Sequence, residues 1–112
     1  MIAEESILDF VKAVRDTAEY RKLKETELLL KKEPALLAEA KRIRRQHYEL
    51  LLKTPAEKLL EEEIRFADEN ESVYNNPKIH DYLEAEAELN RLLRDCMDLF
   101  IKRMKEDWDI IL

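Results

Sequence analysis

Asn76-Pro77-Lys78-Ile79-His80-Asp81-Tyr82-Leu83-Glu84-Ala85-Glu86-Ala87-Glu88-Leu89-Asn90-Arg91-Leu92-Leu93 opens the longest uninterrupted pattern in the chain. Asn76 is a good N-cap residue, and Pro77 suits the first helical turn, where its missing N–H costs nothing. From Ile79 onward apolar residues recur at helical spacing through Leu83, Leu89, Leu93, Met97, Phe100, Met104, Trp108 and Ile111. Tyr82, Leu92, Cys96 and Leu99 widen the stripe, and neither glycine nor proline breaks it after Pro77. A helix of about 30 residues is roughly 45 Å long, whereas a compact domain of this chain length is only about 26 Å across. The helix is therefore expected to overhang its domain, and an apolar stripe on an overhang needs cover from a second copy or another protein.

Composition agrees with long, solvent-laced helices. The 112 residues are 46% hydrophobic and 41% charged, with no glycine and three prolines, which disfavours strands and tight turns. The length allows one small domain, residues 1–112. Its 26 acidic and 20 basic residues give a formal net charge of −6, against broad non-specific nucleic-acid binding. Cys96 has no second cysteine to pair with, and its place on the stripe suggests a buried thiol in a reducing compartment. The first residues carry Glu4 and Glu5 rather than a basic leader, and no apolar run has the length of a membrane span. A cytoplasmic protein is expected, neither exported nor inserted in a membrane.

Upstream of the long helix, Ser6 can cap a first helix with Ile7, Phe10, Val11, Val14 and Ala18 on one face. Capping residues recur at Asp16-Thr17, so the helix restarts or bends before Tyr20, Leu23, Glu27 and Leu30. Lys31-Lys32-Glu33-Pro34 marks a boundary, with lysines at the negative end of one helix dipole and a proline to begin the next helix. Ala35 to Lys53 sets Leu36, Ala40, Ile43, His47 and Leu50 in one row. Thr54-Pro55-Ala56-Glu57 has the form of a capping box and predicts a hairpin turn. Leu59, Leu60, Ile64 and Ala67 mark a shorter helix that ends in a loop from Asp68. The expected fold is all-α, an elongated antiparallel bundle of four or five helices with a long C-terminal helix.

Three groups of residues are candidates for chemistry. Lys41, Arg42, Arg44 and Arg45, with Tyr48 close by, form a possible nucleic-acid patch that would hold phosphates and stack a base. The competing and favoured reading is charge complementarity with Glu57, Glu61, Glu62 and Glu63 of the neighbouring helix. His47 lies on an apolar row, yet the Glu-x-x-His spacing of a bundle metal site is missing, since Arg44 precedes His47 and Pro77 precedes His80. A structural histidine is the favoured reading, and no metal or other cofactor is expected. Glu86 and Asn90 share the row of Leu83, Leu93 and Met97, where they can recognise a partner or fix the register of a helix pair. The alternative is that the row leaves the core there and both are wet. No phosphate loop is present, and Cys96 lacks a basic neighbour at helical spacing to activate it. No active site and no small-molecule substrate are expected.

The stretch Asn76 to Leu93 resembles the YlbF/YmcA family of small helical bacterial proteins, with its Asn-Pro start, Tyr-Leu, Ala-Glu, Glu-Leu-Asn and following leucines. Glu19-Tyr20-Arg21-Lys22-Leu23-Lys24-Glu25 and Glu33-Pro34 with Leu36 and Leu37 extend the likeness, in one order, over roughly Ile7 to Met104. The resemblance implies an all-helical, dimer-forming cytoplasmic protein without enzymatic activity. It also implies assembly with other regulatory proteins that influence competence, sporulation, biofilm formation and RNA processing by a membrane-bound endoribonuclease. Some relatives carry a cysteine-bearing extension linked to an iron–sulfur cluster, while this chain ends at Leu112 with Cys96 alone, so cluster binding is not carried over. On this reading Tyr82, Leu83, Glu86, Leu89, Asn90 and Leu93 form the partner-binding or dimer surface, and the protein is an adaptor or regulator. An RNA-binding module using the Lys41 to Arg45 patch is the alternative.

Overall fold

A computed structural model of the chain describes residues 2–106. Six helices account for the described residues that are regular: α1 Ile2–Arg15, α2 Ala18–Lys31, α3 Pro34–Lys53, α4 Ala56–Glu69, α5 Glu71–Tyr74 and α6 Pro77–Glu106. The all-α class and the long C-terminal helix agree with the sequence reading. The helix count exceeds the expected four or five because the chain restarts after Arg15 and because the loop from Asp68 contains the one-turn helix α5.

The restart is local chemistry. Thr17 Oγ1 accepts from Tyr20 N–H at 3.2 Å and donates to the Val14 carbonyl at 2.6 Å, so one hydroxyl closes α1 and opens α2. Pro34 stands in the first turn of α3, as its fixed φ favours. Asn76 caps α6: its Oδ1 accepts from Lys78 N–H at 3.1 Å and from Ile79 N–H at 3.3 Å. Two other expected caps are corrected. Ser6 lies inside α1, which begins four residues before it at Ile2, and Thr54 closes α3 by donating its N–H to the Leu50 carbonyl at 3.0 Å. Pro55 occupies the N-cap position of α4 with no side-chain bond, so the capping box is not formed.

Without glycine, helix ends are made without left-handed residues, and none of the described residues has positive φ. Terminal carbonyls are instead taken by tightened turns, as Thr17 N–H to Val14 at 3.1 Å and Glu33 N–H to Leu30 at 2.9 Å. Asn70 ends α4 with both its backbone N–H and its side-chain amide on the Phe66 carbonyl, at 3.1 and 2.9 Å.

The chain divides into two compact units, one of residues up to Lys24 and from Glu84 onward, the other Glu25–Leu83. In the second unit Leu30, Ala40 and Ile79 are buried together, with Leu36, Leu37, Val73, Tyr82 and Leu83 packed around them. Helices α3 and α4 run antiparallel there, since Arg42 bonds Asn70 at 3.3 Å and His47 bonds Glu63 at 3.1 Å. In the first unit α1 has no buried residue, while Ala85 of α6 is fully buried.

Candidate association surface

The long helix carries the candidate partner residues in different settings. Tyr82 and Leu83 are half-buried and pack on the core around Ile79, so part of each side chain is already covered within the chain. Glu86 and Leu89 are half-buried, whereas Asn90 and Leu93 are exposed. Beyond them the stripe stays bare: Leu93 is 37% exposed, Met97 56% and Phe100 61%, at spacings of four and three that place them on one row. Cys96 is half-buried beside this row. The end of the stripe at Trp108 and Ile111 lies outside the described residues.

A second bare row lies on α1, where Ile7, Leu8 and Phe10 are exposed while Val11 and Val14 are half-buried. The α3–α4 hairpin adds exposed Leu51, Leu52, Leu60 and Ile64. Periodicity had marked the α1 face as apolar. Whether anything in the chain covers it is a matter of tertiary packing, and no sequence signal for exposure exists.

The basic patch on α3 separates into different roles. Arg42 is held by Glu39 at 2.8 Å, Gln46 at 2.9 Å and Asn70 at 3.3 Å, which fixes α3 to the end of α4. Lys41 and Arg44 meet Lys31, Glu27 and Tyr82 around a cavity of about 200 Å³. The Glu27 carboxylate hydrogen-bonds Lys31 at 2.9 Å and holds its ammonium above the ordinary 10.5. Arg45 and Tyr48 are exposed.

His47 is explained by packing. Its Nε2 lies 3.1 Å from Glu63 and its ring stacks on Phe66 at 5.7 Å, while Phe66 meets Tyr74 edge-on at 6.4 Å. Burial pushes the Tyr74 phenol above its ordinary 10.0, and the nearby Glu63 charge adds to the shift. On α6, His80, Asp81 and Glu84 bring ligand-type atoms within 4.8 Å of one another, all exposed, as acidic surface groups commonly are without any ion. Among the described residues no helix is long and apolar enough to cross a membrane.

The family model described as "Control of competence regulator ComK, YlbF/YmcA" matches residues 4–105. The chain belongs to the YlbF/YmcA family. No curated protein and no solved structure matches it. The matched span takes in every helix described for this YlbF/YmcA protein except the first residues of α1 and the last residue of α6, and it places the chain among regulatory proteins. The expected resemblance is thereby borne out at the level of the family.

Proposed function

We propose that this YlbF/YmcA protein is a single-domain, cytoplasmic, homodimeric adaptor or regulator that works by association rather than by catalysis. The observation that carries this reading is the bare row Leu93, Met97 and Phe100 on α6. A fully exposed large apolar side chain gains roughly 1.5–3 kcal/mol when removed from water, and these half-covered ones gain a corresponding part of it, while a contiguous exposed row is the mark of a protein–protein surface. Glu86, Leu89 and Asn90, in the turns before it, supply specificity by recognising a partner or fixing register, and Tyr82 and Leu83 begin the partner-binding row on the same helix. Regulatory proteins, including an endoribonuclease complex, are the partners that the family reading favours.

Sedimentation equilibrium tests the first half of this. A dimer is expected at low micromolar concentration, and Leu93→Ser, Met97→Ser and Phe100→Ser together are expected to give a monomer that remains largely helical by circular dichroism. A wild-type monomer would remove the reading. Affinity purification from the host tests the second half: a regulatory protein recovered with the wild type should be lost from a Glu86→Ala, Asn90→Ala variant.

RNA binding is the second reading, favoured by the convergence of Lys31, Lys41 and Arg44 on one cavity and by exposed Tyr48. The net charge of −6 and the bonds that engage Arg42 weigh against it. It requires an affinity that falls steeply with salt, with a slope reduced when Lys41 and Arg44 are removed.

A further inference from the structure

We propose that α1 of one protomer lies antiparallel along the second half of α6 of its partner, so that each copy covers a helix the other leaves bare; this rests on the homodimer reading above. Helix α1 has fourteen residues and none of them is buried. A helix of that length is marginal in water unless its apolar face is packed. Ile7 is 62% exposed and Phe10 46%, and in the same unit Met97 is 56% and Phe100 61% exposed. The fold of a single chain thus leaves both rows uncovered, although the unit contains both helices.

The two rows fit each other in step. Ile7, Phe10 and Val14 are spaced three then four; read backwards from Phe100, Met97 and Leu93 are also spaced three then four. Antiparallel pairing brings Ile7 level with Phe100, Phe10 with Met97 and Val14 with Leu93, the layering of an antiparallel helix pair. A parallel match of Ile7, Phe10 and Val14 with Met97, Phe100 and Met104 has the same spacing, so charge decides between them. Glu4 and Glu5 are in the first turn of α1, while Arg103 and Lys105 are in the last turn of α6. Antiparallel pairing sets these opposite charges side by side. The parallel arrangement would instead put Lys12 and Arg15, in the last turn of α1, beside Arg103 and Lys105. A second copy satisfies both rows at once, because a two-fold axis repeats the α1 to α6 contact twice.

The test uses the full chain and two charge-reversed variants, Glu4→Lys with Glu5→Lys and Arg103→Glu with Lys105→Glu, all at exposed positions. At low salt each variant alone is expected to dimerise about tenfold more weakly than the wild type, from like charges brought together. Mixed in equal amounts, the two should form a heterodimer of near wild-type affinity, because the reversed α1 then meets the reversed α6 and the other α1–α6 contact keeps its original charges. Weakening that persists in the mixture would overturn the proposal, as it would mean pairing within one chain. Dimers of both variants as tight as the wild type would also overturn it while leaving the homodimer intact. Only a monomeric wild type would remove the homodimer reading itself.

Discussion

At the scale of single residues, Asn76 and Tyr74 act within three positions of each other and in different ways. Asn76 accepts two N–H bonds at the start of α6. Asn76→Ala should cost about 1 kcal/mol, the usual value for a lost N-cap, and Asn76→Asp should recover it; urea denaturation of the three proteins checks this. Tyr74 is kept neutral by burial and by the neighbouring Glu63 charge. Because its folded pKa lies above the unfolded value, its contribution is fully present below about pH 10 and is lost as pH rises through the folded pKa. The melting temperature should therefore fall at alkaline pH, and Tyr74→Phe should flatten that part of the profile. The Asn76 cap was legible, since Asn-Pro before an apolar period has one common meaning. The Tyr74 environment was not: it depends on Phe66 and Glu63 arriving from α4, across a loop whose internal helix sequence reading missed.

At the scale of elements, the helices follow from period and punctuation. All three prolines stand at or just before helix starts, and the break between α1 and α2 is made by Thr17, one of the two residues that left the restart open. Sequence could not choose between a bend and a restart because the choice lies in how one hydroxyl is bonded. Equally, a run of apolar residues says which face of a helix is oily and not which part of that face is covered. Ile79 and Leu60 both belong to apolar patterns at helical spacing, yet Ile79 is 1% exposed and Leu60 72%. Ile79→Ala should destabilise by about 2–5 kcal/mol through a cavity beside Leu30 and Ala40. Leu60→Ala should change stability by at most about 0.5 kcal/mol in the monomer. Chemical denaturation of both variants separates the two kinds of leucine-rich face.

At the scale of the whole molecule, the unusual feature is how much apolar side chain is left for a partner. Five apolar residues are buried among the described ones, whereas rows on α1, on the α3–α4 hairpin and on the second half of α6 are exposed. If association covers α1, its backbone amides should be protected from hydrogen exchange at high protein concentration and lose protection on dilution, while those of α3 around Ala40 and Ile43 should hardly change. Equal protection of α1 at all concentrations would mean that it is covered within its own chain. The sequence by itself determined the class of fold, the starts of α3 and α6 and the family, because these rest on local propensity, on capping chemistry and on an apolar period that survives along the chain. Tertiary structure alone decided that Tyr82 and Leu83 turn inward, that Arg42 is engaged with α4, and that the bare part of the stripe begins near Leu93. Burial is a property of what other segments place against a helix, and the spacing of residues within that helix carries no record of it.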